Sequence, residues 1–388
     1  MRIAVDAMGG DYAPATIVEG SLQALRACAD IEKLYLVGDK EQIEKEIARC
    51  GGAPDERVEI RHASETIGMG EHPAAAVRRK KDSSINRAVD LVKEGEADAV
   101  FAAGSTGAAV AASTLKMRTM PGIRRPGIAV VMPTPKTPFV LIDGGATPDC
   151  SPEVLVQFAI MGSAYAREVL GVPDPSVGLM SVGTEDAKGN SLSKETFALL
   201  EAAPIRFAGN VEGNDLFESK VDVVVCDGFV GNVILKTAEG VAHASMKWLK
   251  AELTANPIRW LGALLLYRGL MSMKRKTSNK TYGGAPLLGL NGICIIGHGS
   301  SDATAAKNGI LQAVRAVKAG LNGKILEGIQ SIPQEAANRA SAISAAEAAS
   351  AAAKAAERAA AAAQAIVAAA KGGVPADGET AEADAPEN

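Results

Sequence analysis

Residues 99–108 read AVFAAGSTGA, and this stretch decides the fold. Five consecutive apolar residues, with no alternating polar positions, are typical of a strand that is covered on both faces. The Gly, Ser and Thr that follow predict a tight turn and the start of a helix. Comparable apolar runs, most of which end in Gly, Asp or Ser, recur at residues 3–6, 34–39, 128–131, 140–144, 177–183, 223–228 and 293–297.

Helical patterns fill the intervals between these runs, for example at residues 14–27, 41–49, 84–94 and 152–170. Strands that alternate with helices predict an α/β protein with a mostly parallel sheet. Ligands of such sheets bind beyond the carboxyl ends of the strands. Because several strand ends carry small and polar residues, we expect them to share one polar cleft.

The composition is that of an ordinary soluble globular protein, with 388 residues of which 47% are apolar and 22% are charged. Residues 1–334 hold 37 basic and 37 acidic residues, and this balance argues against a nucleic-acid-binding protein. The five cysteines and four histidines are scattered, so neither a disulfide framework nor a metal site is expected. Asp6 interrupts any apolar leader, and the longest apolar run, residues 260–271, contains Arg268 and is too short to span a bilayer.

Two segments depart from the alternation of strands and helices. Residues 247–280 hold both tryptophans, an apolar run and a basic triplet, which indicates helices at a membrane interface, at a dimer contact or in the core. Alanine provides 22 of the 37 residues from Glu335 to Lys371, and an acidic end follows. We therefore expect an α/β domain at residues 1–334 and a tail at 335–388 that is first helical and then disordered.

Several strand ends suit the chemistry of anions. Residues 104–107 (GSTG) could hold a phosphate through backbone N–H groups and two hydroxyls, although a plain turn has the same composition. Lys188 lies among carboxylates and is either a ligand of phosphate or of a polarised carbonyl, or an exposed loop lysine. Asn232 is either a helix N-cap or an oxyanion donor, and His298 is either an acid or base or a satisfied polar residue.

A basic cluster occupies residues 78–81 (RRKK) in this otherwise neutral body. It indicates either a surface that steers an acidic partner or a solvated face. Nucleotide motifs are missing: no G-x-x-x-x-G-K-[ST] occurs, and Asp302 stands where a G-x-G-x-x-G that began at Gly297 would need glycine.

In combination, the motifs resemble one family, the acyl-acyl-carrier-protein:phosphate acyltransferases of bacterial phospholipid synthesis. The resemblance extends from Met1 to about Lys318. It is carried by residues 5–11 (VDAMGGD), 62–65 (HASE), 71–73 (EHP), 79–84 (RKKDSS), 103–108 (AGSTGA), 156–159 (VQFA), 209–213 (GNVEG), 226–232 (CDGFVGN), 282–289 (YGGAPLLG) and 298–301 (HGSS).

The resemblance implies transfer of a long-chain acyl group from an acyl-carrier-protein thioester to inorganic phosphate, without a metal or an organic cofactor. It implies a three-layer α/β/α sandwich related to phosphotransacetylases and to isocitrate and isopropylmalate dehydrogenases. It also implies a cytoplasmic homodimer that attaches peripherally to the inner face of the cytoplasmic membrane.

The resemblance also suggests roles for the candidate residues. Lys188 and Asn232 would hold phosphate and the developing oxyanion, whereas His298 and Asp227 would orient groups or transfer a proton. Three further sets follow: Gly104, Ser105, Thr106 and Gly107 for phosphate, Arg78, Arg79, Lys80 and Lys81 for the acidic carrier protein, and Trp260, Leu264, Leu265 and Leu266 for the membrane.

Three alternatives stay open from the sequence. A decarboxylating dehydrogenase of the related fold would need a carboxylate cluster for a metal, and none is evident. A phosphotransacetylase would use a coenzyme A thioester instead of the carrier protein. A non-catalytic membrane scaffold is favoured only by Ser105 and Thr147, where the family commonly has Asn.

Overall fold

The computed structural model describes residues 1–51, 55–276 and 279–332, together with Ala360. The strands of this part are short, and most of their residues are buried, as their β-branched sequences predict. They are β1 (Arg2–Asp6), β2 (Lys33–Gly38), β3 (Val58–His62), β4 (Ala99–Ala102), β5 (Gly127–Ile128), β6 (Val130–Met132), β7 (Phe139–Ile142), β8 (Ser176–Met180), β9 (Arg206–Val211), β10 (Val223–Val225), β11 (Ala285–Leu288) and β12 (Ile293–Ile296).

The helices of the described residues include those predicted at 14–27, 41–49, 84–94 and 152–170. They are α1 (Ala15–Ala27), α2 (Lys40–Arg49), α3 (Pro73–Arg79), α4 (Ser84–Lys93), α5 (Thr106–Met117), α6 (Pro152–Glu168), α7 (Ser191–Glu201), α8 (Gly228–Leu253), α9 (Pro257–Leu265), α10 (Tyr267–Lys276), α11 (Ala303–Lys318) and α12 (Leu321–Gln330), with a 3₁₀ turn at Asn279–Thr281.

The strands form two sheets. Sheet 1 has the order β3-β2-β1-β4-β12-β11-β5 and is parallel except for β11, and sheet 2 has the order β6-β7-β10-β8-β9 and is parallel except for β6. Helices α1 and α11 cover one face of sheet 1, while α4 and α5 cover the other. The predicted mostly parallel α/β/α architecture is confirmed.

The predicted strand at 128–131 is not one strand. The chain passes from sheet 1 to sheet 2 at Ala129, whose N–H donates to the carbonyl of Pro286 at 3.0 Å. The Gly144 N–H, just after β7, donates to the carbonyl of Ile128 at 2.9 Å. These bonds bring the carboxyl end of β7 beside β11, and therefore beside the carboxyl end of its antiparallel neighbour β12.

Helix α8 leaves the body of the protein. Its first turns pack on sheet 2 through Val230, Ile234 and Leu235, and only Gly228 and Gly231 of the whole helix are buried. Residues 239–273, here called the helical projection, contain no buried residue. Their exposed apolar side chains include Val241, Trp248, Ile258, Trp260, Leu261, Leu264, Leu265, Leu266, Tyr267 and Met273.

Among the described residues, no helix combines the length and the hydropathy that crossing a bilayer requires. The tail predicted at 335–388 lies outside the described residues, apart from Ala360. The domain boundary at 334 therefore stays a prediction.

Candidate active site

The turn between β4 and α5 leaves backbone donors free. Ser105 caps α5, since its hydroxyl accepts from the Ala108 N–H at 3.4 Å. Among the hydrogen bonds of the described residues, none uses the N–H groups of residues 104–107. Free N–H groups at a helix start attract anions, and the helix dipole adds to that attraction. The geometry is that of an anion cradle, here called the cradle (residues 104–107).

Two neighbouring loops adjoin the cradle, because β1 and β12 flank β4 in sheet 1. Gly9 approaches Gly104 so closely that a Cβ added at Gly9 would lie 2.8 Å from the Gly104 nitrogen. The Asp11 N–H donates to the carbonyl of Gly299 at 2.8 Å. Glycine at position 9 is therefore required by close backbone approach, which fixes the floor of the cradle.

Asp6, at the end of β1, lies beneath this contact and is 4% exposed. Its Oδ1 accepts from the Met8 N–H at 3.2 Å, and it also interacts with the Gly9 N–H and the Ser84 hydroxyl. Burial raises the pKa of Asp6 to about 6. The carboxyl lines a small cavity together with Gly9, Ser84, Gly104 and Ser105.

His298 follows β12 and is exposed. Its Nδ1 lies 2.8 Å from the Ser300 hydroxyl and accepts from the Ser300 N–H at 3.2 Å. Because Nδ1 acts as an acceptor, the neutral ring carries its proton on Nε2. His298 is thus arranged to donate a hydrogen bond from Nε2.

The loop after β7 is organised by the buried Asp143. Its carboxylate accepts from the N–H groups of Ile128 at 2.8 Å, Gly145 at 3.0 Å, Ala146 at 3.0 Å and Thr147 at 2.6 Å. Burial raises the pKa of Asp143, while these four donors oppose that shift. The Thr147 hydroxyl donates to the carbonyl of Pro126 at 3.0 Å, which gives this side chain a structural contact.

Asp227 starts α8, because its Oδ1 accepts from the Val230 N–H at 2.8 Å. The Gly228 N–H donates to the carbonyl of Thr147 at 2.9 Å. A Cβ at Gly231 would lie 1.9 Å from the carbonyl oxygen of Asp143, so only glycine fits there. Since Asp227 is the N-cap, the alternative that Asn232 caps the helix is wrong. The exposed Asn232 instead lies over Gly145, where an added Cβ would be 3.6 Å from Oδ1 of Asn232.

Lys188 occupies the loop after β8. Its Nζ lies 4.0 Å from Oε1 of Glu185, and the side chain is about half exposed. The buried Asn210 of β9 ties this loop down, since its Nδ2 donates to the carbonyl of Glu185 at 2.9 Å. Gly189 has a φ of +109°, and a Cβ there would collide with the Ser193 hydroxyl. The lysine therefore sits on an anchored loop with its amine in solvent.

The structure arranges the candidate residues in separate groups. The cradle and His298 follow adjacent strands of sheet 1, whereas Lys188 follows β8 and Asp227 and Asn232 follow its neighbour β10 in sheet 2. No hydrogen bond or ion pair within the described residues joins the two groups. The motifs did not single out two residues that the structure places beside these groups: Asp6 adjoins the cradle, and Asn210 anchors the loop of Lys188.

The basic cluster is divided by Glu71. This carboxylate binds Arg79 at 2.9 Å and Lys80 at 2.7 Å. Arg78 and Lys81 are exposed and take part in none of the ion pairs of the described residues. They line a surface depression of about 660 Å³, whose other lining residues are Val77, Asp82, Arg87, Asp90, Leu115 and Lys116.

No group of three or more His, Cys, Asp or Glu side chains in the described ranges is placed to hold a metal ion. Lys188, Asn232, His298 and the cradle are donors, so the arrangement suits binding and stabilisation of anions.

Comparison with known proteins identifies the family. The profile described as "Fatty acid synthesis protein" matches residues 1–324. A phosphate acyltransferase of Desulfitobacterium hafniense is 53% identical over 321 residues, which are 82% of this chain and 95% of the relative. A phosphate acyltransferase of Pelotomaculum thermopropionicum is 48% identical over 333 residues, 85% of this chain and 94% of the relative.

Among solved structures, a phosphotransacetylase from Streptococcus pyogenes superposes with a TM-score of 0.52 at 18% identity, over 82% of this chain and 94% of the other. This likeness confirms the fold. The extent and identity of the sequence matches establish more: the chain belongs to the bacterial phosphate acyltransferases of the fatty acid synthesis protein family.

Proposed function

We propose that this chain is an enzyme that transfers a long-chain fatty acyl group from an acyl-carrier-protein thioester to inorganic phosphate. The product is an acyl phosphate for phospholipid synthesis. The observation that carries the proposal is the cradle, whose N–H groups are unpaired within the described residues and lie at a helix start. Membership of the family supports the acyl transfer, and the cradle is the proposed binding site of the acceptor phosphate.

The reaction requires little proton transfer to or from side chains of the protein. A phosphate oxygen attacks the thioester carbon to form the C–O bond, and collapse of the tetrahedral oxyanion breaks the C–S bond and releases thiolate. Position and charge stabilisation are therefore the main requirements. The cradle holds phosphate, Lys188 and Asn232 stabilise phosphate and the oxyanion, and His298 orients phosphate through its Nε2 proton. Asp227 supports Asn232 indirectly, because it begins the helix that carries it.

The surface depression beside α3 is proposed as the docking site of the acidic carrier protein. Arg78 and Lys81 carry charges that no described acidic side chain neutralises, and Leu115, which is 46% exposed, adds an apolar contact. Arg79 and Lys80 contribute less, because Glu71 already binds both. Replacing Arg78 and Lys81 together with alanine should raise KM for acyl-carrier protein several-fold, whereas Arg79→Ala should change it little. Equal effects of the two variants would contradict this docking site.

The helical projection is proposed as the membrane contact, with Trp260, Leu264, Leu265 and Leu266 at its centre. These four side chains are all exposed, and Leu265 is 82% exposed. The exposed apolar residues of α8 also favour a homodimer. Co-sedimentation with phosphatidylglycerol vesicles should be lost in Leu264→Ser/Leu265→Ser and retained in Val233→Ser. Light scattering of the same proteins would report whether they are dimers.

The decisive experiment incubates the purified protein with palmitoyl-acyl-carrier protein, with and without inorganic phosphate. Free thiol and acyl phosphate are measured together. Formation of both only in the presence of phosphate would support the proposal. Equal rates with palmitoyl-coenzyme A would favour a phosphotransacetylase, and a folded protein that forms no product would favour a membrane scaffold.

A further inference from the structure

The loop between β3 and α3 contacts two turns at the carboxyl end of sheet 1. Residues 66–72 of this loop are here called the strap. A Cβ added at Gly299 would lie 3.1 Å from Cε of Met69, so this side chain reaches the turn after β12. Ile67 lines the same small cavity as the first two residues of the cradle. The strap therefore borders both turns of sheet 1 that hold candidate residues.

The end of the strap leads into a third contact. His72 is the N-cap of α3, and Pro73 is the first residue of that helix. A Cβ added at Gly107 would lie 2.6 Å from Cγ of Pro73, so Pro73 packs on the last residue of the cradle. Because Pro73 directly follows the strap, a movement of the strap would reach the cradle through this close contact.

The ammonium group of Lys80 holds the strap near both of its ends. Its Nζ donates to the carbonyl of Thr66 at 2.7 Å and to Oε1 of Glu71 at 2.7 Å. The same oxygen of Glu71 accepts from the Gly68 N–H at 2.9 Å. The hydrogen bond from Lys80 and then that from Gly68 lower the pKa of Glu71, so this carboxylate is charged at neutral pH. The conformation of the strap therefore depends on the Lys80 amine.

Lys80 is fixed in turn by a buried amide. Asn86 of α4 is fully buried, and its Nδ2 donates to the carbonyls of Lys80 at 2.8 Å and Val77 at 2.9 Å. The side chain of Lys80 is 24% exposed, whereas that of Arg79, which also binds Glu71, is 71% exposed. Of the two cations, Lys80 is thus the one that is turned towards the protein.

We propose that Lys80 is a positioning residue of the acyl transfer, which holds the strap against the turns after β4 and β12 through Thr66 and Glu71. The inference rests on the proposed function, since it takes these turns to be part of the active site. It deepens that function by dividing the basic cluster: Arg78 and Lys81 meet the carrier protein, whereas Lys80 sets the geometry of the site.

The test compares Lys80→Met with Lys33→Met, because methionine fills similar space without a charge. Lys33 also forms an ion pair, with Glu59 at 2.8 Å, and its side chain is 34% exposed, but it starts β2 at the opposite end of sheet 1. In Lys80→Met, kcat of phosphate-dependent thiol release should fall by about tenfold, since the turns are misplaced. KM for acyl-carrier protein should stay within about twofold, and Lys33→Met should keep both constants.

Hydrogen exchange supplies a readout that does not depend on activity. The Gly68 amide should exchange faster in Lys80→Met than in the native protein, and Lys33→Met should leave its rate unchanged. The base of the loop stays fixed in both variants, since the Ser64 N–H donates to Oδ2 of Asp82 at 2.9 Å. Unchanged exchange of Gly68 in Lys80→Met would show that Lys80 does not hold the strap.

Glu71→Gln breaks the same ion pair from the other side. Glutamine keeps an oxygen that can accept from Gly68, but it lacks the charge that binds Lys80. Its kcat should fall several-fold, and the double variant should be no slower than Lys80→Met, because both changes remove one interaction. Independent losses of kcat would overturn the inference. If Lys80→Met does not fold, a normal kcat in Glu71→Gln overturns it alone.

Two other results distinguish the roles. If Lys80→Met raises KM for acyl-carrier protein and keeps kcat, Lys80 is a docking residue and the inference is wrong. If the native protein forms no acyl phosphate from palmitoyl-acyl-carrier protein, the proposed function fails, while the exchange of Gly68 still reports whether Lys80 holds the strap. If the native protein forms acyl phosphate and Lys80→Met is equally fast, only the role of Lys80 fails.

Discussion

The carboxyl ends of the two sheets offer different chemistry. At sheet 1, residues 104–107 present unpaired backbone N–H groups above a buried carboxyl. At sheet 2, two of the four corresponding N–H groups at the start of α8 are occupied, since Cys226 donates to the carbonyl of Ile142 and Gly228 donates to the carbonyl of Thr147. What sheet 2 offers instead is the exposed side chains of Lys188 and Asn232.

Under the proposed function, this difference separates binding of phosphate from stabilisation of the reacting thioester. Backbone donors around Gly9 and Gly104 are fixed by close packing, so they suit a small anion of constant shape. Long polar side chains on an anchored loop can follow charge as it develops on a thioester oxygen. We therefore expect side-chain truncation to damage the half of the site on sheet 2, and added Cβ atoms to damage the half on sheet 1.

Removal of the Lys188 amine should have the largest effect. Lys188→Ala should lower kcat of phosphate-dependent thiol release by about a hundredfold or more, because a charged donor to the oxyanion is lost. Lys194→Ala is the matched control, since Lys194 is exposed on the following helix. An activity of Lys188→Ala within about twofold of the native protein would show that Lys188 is not the oxyanion donor.

The arrangement of candidate residues on the two sheets could be predicted only in part. The apolar run at 99–102 and the GSTG that follows it predict both β4 and the cradle, because the signal is local. The sequence at 128–131 is as apolar as any central strand, so nothing in it predicts the passage to a second sheet at Ala129. The ion pairs of Glu71 join residues eight and nine positions apart through the fold, and no helical spacing indicates them.

The second prediction concerns how the free energy of unfolding depends on pH. It tests the buried charge of Asp6, at the end of β1 in sheet 1. The pKa of Asp6 is raised to about 6 from 3.8. Between these values the folded protein binds more protons than the unfolded chain, so the contribution of Asp6 to stability falls as pH rises through this range. Above pH 6 the penalty is complete.

Asp6→Asn removes that penalty. Relative to the native protein, its free energy of unfolding should rise by about 2 kcal/mol between pH 4 and pH 7, as measured by urea denaturation. Other carboxylates, such as Asp82, whose pKa is lowered by hydrogen bonds from Ser64, affect both proteins equally and cancel in the difference. A difference that does not change with pH would mean that Asp6 is already neutral at pH 7.

A methyl group at Gly9 tests the backbone half directly. The Cβ of Gly9→Ala would lie 2.8 Å from the Gly104 nitrogen and from Oδ2 of Asp6, so the backbone must move. KM for phosphate should rise by about tenfold, while KM for the acyl donor should change less. Gly323→Ala is the control, because a Cβ there has nothing within 4 Å. If Gly9→Ala has a normal KM for phosphate, the cradle does not bind phosphate.

The loop of Lys188 gives the smallest expected effect and the sharpest comparison, because a matched amide exists elsewhere. Asn210 donates to the carbonyl of Glu185 at 2.9 Å, and Asn322 donates to the carbonyl of Leu290 at 3.0 Å, so each amide ties a loop to the core. Each alanine variant should lose about 1 kcal/mol of stability. Only Asn210→Ala should also lower kcat, by several-fold, since only that loop positions an amine. If the two variants lose equal stability and have equal kcat, the Asn210 hydrogen bond is not needed to position Lys188. The flexible lysine side chain would then reach the oxyanion without a fixed loop.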